Sequence, residues 1–179
     1  MTSAKLPLLA TALLLALLVA QTALYVPYLP EQIASHFDAA GNPNQWVDRS
    51  TYRLLSTGLS LLPAVILASI AFLLTRIPTS LINLPHKDYW LAADQPARRA
   101  ASIAYLQISL FWFIPPTLAL LLAINQLALM ANLATPVRLS PLCWWVLGTY
   151  LIFVAIWVVR LYRRFPRATK ASQAEFPAL

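Results

Sequence analysis

The side chains best suited to chemistry lie in one polar segment, LPEQIASHFDAAGNPNQW, which runs from Leu29 to Trp46. It contains His36, one of only two histidines in the chain, and the acids Glu31 and Asp38. Because histidine titrates near neutral pH, His36 could sense pH or contact a ligand. It could instead hold the segment in shape by hydrogen bonding to Asp38, to a backbone carbonyl or to a helix end. We favour this second interpretation of His36.

Metal binding and catalysis are weaker hypotheses for these residues. His36, Asp38 and Cys143 are the conceivable ligands, but they lack the clustered spacing of a zinc site. All six acids lie in polar segments or the tail, and no glycine-rich phosphate loop or Ser-His-Asp pattern is visible. We therefore expect a protein that is not an enzyme and that needs no cofactor or metal.

The composition places this polar segment in a membrane protein. The chain has 179 residues, of which 60% are hydrophobic and 11% charged, and its mean hydropathy is +0.67. Soluble domains carry about a quarter charged residues. An apolar content this high would leave a large exposed patch on a water-soluble fold.

Four uncharged runs are each long enough to cross a bilayer, which takes roughly 20 apolar residues. They predict an all-α integral membrane protein of one domain, with a structured extracytoplasmic loop after the first helix. The first run is longer than the usual apolar core of a signal peptide, so we expect a retained helix there. The expected bounds are helices at 6–28, 53–76, 100–130 and 140–162, an outer loop at 29–52, an inner loop at 77–99, an outer turn at 131–139 and a tail at 163–179.

The basic residues predict the orientation. Ten of the 13 Lys and Arg residues fall on one side of the alternating spans, and only Arg49, Arg53 and Arg138 fall on the other. Because basic residues favour the cytoplasm, we expect both termini inside, in a bacterial cytoplasmic (inner) membrane. This distribution also explains the net charge of +7 without nucleic-acid binding. The ten are Lys5, Arg76, Lys87, Arg98, Arg99, Arg160, Arg163, Arg164, Arg167 and Lys170.

Local signals describe the helix ends and the outer loop. Asp48 or Ser50 is expected to cap the second helix, and Ser140-Pro141 to start the fourth. Pro63 and Pro115-Pro116 fall inside helices, where we expect kinks. The stretch 30–37 could form two helical turns, with proline in the first position.

The outer segment resembles the signature of a bacterial membrane domain of unknown function. That domain forms the N-terminal part of the Sdp-type, SdpI-like immunity proteins. The pattern is Leu-Pro, then His-Phe-Asp, then Gly-x-Pro-x-x-Trp, directly after a first transmembrane helix. The matching residues are Leu29, Pro30, His36, Phe37, Asp38, Gly41, Pro43 and Trp46. The stretch NLPHKDYWLA at 83–92 also resembles a segment of shorter, four-span relatives.

The resemblance implies immunity to a secreted antimicrobial peptide, and signalling through a protein held at the membrane. We accordingly expect Glu31, His36, Asp38 and Trp46 to contact an extracytoplasmic ligand. Leu29, Pro30, Phe37, Gly41 and Pro43 are expected to shape the loop. On the inner side, a cytoplasmic or membrane protein partner could dock at His86, Lys87, Asp88, Tyr89, Trp90, Arg98 and Arg99. The alternative for these inner residues is an aromatic belt with orientation charges, and we favour that alternative.

A transporter, or an accessory subunit of a membrane complex, is the rival hypothesis. Ionisable residues inside the membrane usually mark an ion path, and no span has one in its central part. Gln21, Asn125 and Gln126 are the most polar residues within the spans. Amides in such positions usually bond neighbouring helices. The sequence therefore favours binding over transport, with the lipid bilayer as the certain partner.

Overall fold

The computed structural model describes residues 4–167 and has the predicted class, an all-α protein with four long apolar helices. Each of the four is long and apolar enough to cross a membrane. Residues 168–179 of the expected tail at 163–179 lie outside the described residues, and Lys170 is among them. The long helices are α1 (Lys5–Tyr25), α2 (Arg49–Leu73), α4 (Pro96–Leu133) and α5 (Leu142–Arg164), and the short elements are β1 (Gln32–Phe37), β2 (Pro43–Asp48) and the single turn α3 (Lys87–Trp90).

The segment between α1 and α2 is a β-hairpin, so the prediction of helical turns at 30–37 was wrong. β1 and β2 pair antiparallel, with Ile33 opposite Val47 and Ala34 opposite Trp46. The physical reason is the tight turn that follows β1, where Gly41 takes a φ of 85° that favours glycine. The turn returns the chain onto β1 and satisfies its backbone groups in a ladder.

Helix α4 is the central element of the bundle, with α1, α2 and α5 packed around it. One buried cluster, made by α1, α2 and α4, fills the middle of the bundle. Its α2 members are Ala64 and Ala71, whose small side chains let the helix backbones approach closely. The cluster consists of Leu18, Ala64, Ala71, Phe111, Ile114 and Leu118.

Helix α2 begins at a cap that the sequence indicates. The Asp48 carboxylate accepts hydrogen bonds from the backbone N–H groups of Ser50 and Thr51, both at 2.9 Å. It thereby satisfies two of the donors that the start of a helix leaves unpaired. The hairpin and α2 are thus joined without a flexible linker, because the last residue of β2 is also the helix cap.

We predict that Gly41→Ala destabilises the hairpin by about 1–3 kcal/mol, because of both the backbone conformation and a steric clash. A Cβ atom added at Gly41 would lie 2.5 Å from the carbonyl oxygen of Leu139. Hydrogen exchange of the hairpin amides measures the effect as an opening free energy. Gly58→Ala is the matched control, since a Cβ there meets nothing within 4 Å. Equal exchange in the two variants would contradict the prediction.

Candidate binding site

The turn of the hairpin is organised by Asp38. Its carboxylate accepts from the backbone N–H of Asn42 at 2.8 Å, from the Asn42 side chain at 3.1 Å and from the N–H of Ala40 at 2.9 Å. These bonds, led by the one from the Asn42 backbone, hold the pKa of Asp38 below its ordinary value. Asp38 therefore carries a negative charge at neutral pH and shapes the turn at the same time.

His36 holds the two strands together through a partner other than those the sequence suggests. Its Nδ1 lies 2.6 Å from the Oδ1 of Asn44, across the hairpin. Asp38, the acidic partner considered from the sequence, is instead occupied by the turn amides. The His36 side chain remains exposed to solvent. His36 thus contributes to the shape of the hairpin and remains accessible to a ligand.

Asn132, near the C-terminal end of α4, docks the hairpin on the helix bundle. Its Oδ1 accepts from the N–H of Ala34 at 2.7 Å, and its Nδ2 donates to the carbonyl oxygen of Ala34 at 3.0 Å. The same Nδ2 donates to the carbonyl of Ala128. Asn132 is 4% exposed and Ala34 is fully buried. The carboxamide thus pairs with β1 along the buried edge that faces away from β2, as the backbone of a neighbouring strand would.

A second attachment joins the turn to the segment between α4 and α5. The N–H of Leu139 donates to the carbonyl of Gly41 at 2.9 Å, and the Arg138 guanidinium donates to the carbonyl of Ala40 at 3.3 Å. Near the other end of the hairpin, the Arg49 guanidinium donates to the carbonyl of Leu29. The hairpin is therefore held at both ends and along one edge.

The motif residues divide into two groups by burial. Leu29, Gly41 and Ile33 are buried against the helices, where Leu29 and Ile33 form a cluster with Val26, Tyr52 and Leu129. Phe37 and Pro43 are half-buried, and Pro30 is exposed. The residues left open are Glu31, His36, Asp38 and Trp46, with the Trp46 side chain 45% exposed.

The amides of the spans bond neighbouring helices, as the sequence predicts. Gln21 of α1 donates to the Gln126 Oε1 of α4 at 2.7 Å, and the Asn125 Nδ2 donates to the Gln21 Oε1 at 2.7 Å. Gln126 donates in turn to the Tyr25 hydroxyl at 2.7 Å. This network joins α1 and α4 beneath the hairpin, at a depth where unpaired amides would be costly.

The residues proposed for docking a partner on the inner side also fall into two groups by burial. Trp90 and Tyr105 pack edge-on against buried Phe165, and the Trp90 indole donates to the carbonyl of Pro166 at 3.0 Å. The Arg98 guanidinium is buried and lies 3.8 Å from the ring centre of Tyr89. Tyr89, Trp90 and Arg98 therefore pack within the inner end of the bundle. His86, Lys87 and Asp88 are exposed, and Arg99 is half-buried.

Three site residues were missed from the sequence: Asn44, Asn132 and Leu139. Asn132 carried a usable signal, because it is a polar side chain between the apolar residues of the last turn of α4. Leu139 acts through its backbone, which side-chain patterns do not reveal. No group of three or more His, Cys, Asp and Glu that could hold a metal ion occurs between residues 4 and 167.

Residues 12–67 match the family described as a domain of unknown function (DUF1648). The matched segment includes most of α1, the whole hairpin and the greater part of α2. No curated protein and no solved structure matches the chain. The match therefore covers the hairpin and assigns it no activity.

We predict that Asn132→Ala releases the hairpin from α4, because it leaves the buried N–H and C=O of Ala34 unpaired. The expected loss is about 1–3 kcal/mol in the free energy of hairpin opening. Hydrogen exchange of β1 and limited proteolysis report it, while helix content by circular dichroism stays unchanged. Asn83→Ala is the control, since it removes an exposed carboxamide that lies outside the hairpin. The prediction fails if both variants protect β1 equally.

We also predict an acid-sensitive hairpin. Hydrogen bonds hold the pKa of both Asp38 and Asp48 below 3.8, with the Ser50 side chain the main cause at Asp48. Since the folded-state pKa is lowered, these bonds stabilise the hairpin above pH 3.8 and are lost as pH falls through the folded-state pKa. NMR titration of the two carboxyl carbons measures the midpoints. A midpoint at or above 3.8 for either carboxyl would contradict the assigned bonds.

Proposed function

We propose that this protein is a non-enzymatic receptor of a bacterial cytoplasmic membrane, with both termini inside and the hairpin on the outer surface. The distribution of basic residues supports this orientation, since Arg49, Arg53 and Arg138 are the only ones on the hairpin side. The hairpin would contact the ligand through Glu31, His36, Asp38 and Trp46. The conclusion is immunity or signalling in response to an extracytoplasmic molecule.

One observation carries the proposal: the hairpin is held rigidly while its recognition side chains stay exposed. Asn132 and Leu139 fix the backbone of β1 and of the turn. Trp46 and His36 nevertheless lie open on the surface. A surface that is already ordered loses little conformational entropy on binding, which is what a recognition element requires.

The charge of the hairpin favours a cationic amphipathic peptide as the ligand. Residues 29–48 contain three of the six acids of the chain and no Lys or Arg. The Arg49 and Arg138 guanidinium groups at the ends of the hairpin donate hydrogen bonds to its backbone carbonyls. Opposite charges steer a basic peptide to this surface. Trp46 supplies an apolar contact beside them, and β2 is an edge strand of a two-stranded sheet. Extended peptides commonly bind by pairing with such an edge.

The sequence resemblance, and not the family match, is the support for a link to peptide immunity. The Leu-Pro, His-Phe-Asp and Gly-x-Pro-x-x-Trp pattern lies within the matched residues 12–67. The same pattern carries the resemblance to Sdp-type immunity proteins. On the inner surface, exposed His86, Lys87 and Asp88, with Arg99 beside them, would meet a cytoplasmic or membrane protein partner that transmits the signal.

The test is binding of a synthetic amphipathic Lys/Leu peptide to the protein in nanodiscs of uncharged lipid. We expect Trp46→Ala and Glu31→Lys each to weaken binding about tenfold, and salt to weaken it further. A Glu/Leu peptide of the same length should not bind. Trp144→Ala is the matched control, because Trp144 is 54% exposed at the start of α5, outside the hairpin. Equal binding of both peptides, or equal loss in the control, would overturn the proposal.

An accessory subunit of a larger membrane complex is the second candidate, and α5 is the observation that favours it. None of the residues Leu142–Arg164 is buried, although the helix packs along α4. A partner helix in the membrane would cover its outer face. Extraction in a mild detergent followed by native mass spectrometry would detect such a partner at fixed stoichiometry. A lipid-bound single chain would remove this candidate.

A further inference from the structure

A cleft of about 220 Å³ lies between α2 and α4, directly beneath the hairpin. Its roof is Ser35 of β1, and one wall carries Tyr52, Ser56 and Ser60 of α2. These three residues are spaced four apart, so their side chains share one face of the helix over about 12 Å. The cleft therefore runs from the hairpin down into the span.

Each hydroxyl group of this wall already donates its proton in a hydrogen bond. Tyr52 and Ser56 both donate to the Asn125 Oδ1, at 3.3 and 3.1 Å, and Ser60 donates to the carbonyl of Ser56 at 2.6 Å. Each hydroxyl has one proton and two lone pairs. The wall consequently offers acceptor oxygens to the cleft, and a ligand must supply the hydrogen-bond donors.

The remaining lining excludes a charged ligand and favours an acyl chain. No Lys, Arg, His, Asp or Glu lines the cleft, so a charged headgroup would lose its hydration without gaining a counterion. Asn125 also lines the cleft, where its Oδ1 accepts from Tyr52 and Ser56 and its Nδ2 donates to Gln21. The other residues are apolar, and Leu55 and Leu59 are 43% and 61% exposed. In a spanning helix that exposure faces lipid. The lining apolar residues are Leu55, Leu59, Leu121, Ile124 and Ala128.

We propose that the cleft binds an uncharged monoacylglycerol, with its two free hydroxyls donating to two neighbouring oxygens of the wall formed by Tyr52, Ser56 and Ser60. The volume holds about seven groups of water size, at about 30 Å³ each, which suits a glycerol headgroup. The acyl chain lies outside the cleft, along Leu55 and Leu59.

The test is binding of 1-monooleoylglycerol to the delipidated protein, measured by native mass spectrometry. Methyl oleate has the same chain without donors, and oleoyl lysophosphatidic acid adds a charge. We expect both to bind at least about tenfold more weakly. Equal binding of methyl oleate would show a purely apolar groove, and tighter binding of the charged lipid would show a phosphate site. Either result overturns the proposal.

Variants separate the hydroxyl wall from general packing. The double variant Tyr52→Phe/Ser60→Ala keeps the shape and removes two acceptors, so monooleoylglycerol should bind about tenfold more weakly. Ala128→Leu should abolish binding by filling the cleft from α4 while leaving the hydroxyls in place. Thr117→Val is the matched control, because the Thr117 hydroxyl lies 2.8 Å from that of Tyr150, facing α5. An equal loss in Thr117→Val, or unchanged binding in the double variant, overturns the proposal.

This inference is independent of peptide binding by the hairpin. Trp46 does not line the cleft, so Trp46→Ala should bind monooleoylglycerol as the wild type does. A loss of lipid binding in this variant would contradict the assignment of the ligand to the cleft. A loss of peptide binding alone would bear only on the hairpin.

Discussion

The pair of hydrogen bonds between the Asn132 carboxamide and the backbone of Ala34 is the interaction on which the placement of the hairpin depends. Ile33 and Ala34 of β1 are fully buried against the bundle, where backbone N–H and C=O groups cannot reach water. A two-stranded hairpin satisfies only one edge of each strand. Asn132 satisfies the buried edge at Ala34, and with it fixes the height and direction of the whole hairpin.

Helix α4 organises both ends of the molecule, because it is the longest helix and packs against each of the other three long helices. At one end it holds the hairpin through Asn132 and joins α1 through Asn125 and Gln126. At its other end Tyr105 packs against Phe165, which follows α5. Amide bonds hold one end and aromatic packing holds the other. The middle is held by small residues and apolar contact, as expected within lipid.

Strand β1 serves two surfaces at once. His36 faces outward, where it pairs with Asn44, and Ser35 forms the roof of the cleft between α2 and α4. The register of the hairpin shifts between Ala34 and His36 and again between His36 and Phe37, so the strand is irregular where the two surfaces divide. The proposed receptor surface and the proposed lipid site therefore share one strand without sharing side chains.

The sequence by itself determined the class of this protein and the position of the polar segment that contains the hairpin. Long uncharged runs predict spanning helices because a bilayer excludes unpaired backbone groups and charges from its core. The cap at Asp48 and the role of Gly41 are local effects, and local patterns reveal them. The tertiary structure alone decided that residues 32–37 form a strand, since the stabilising partner of Ala34 lies 98 positions away at Asn132. It also decided that Trp90 and Arg98 pack inward and that Tyr52, Ser56 and Ser60 line a cleft. Such contacts depend on which helix faces meet, and side-chain spacing within one helix does not specify the partner.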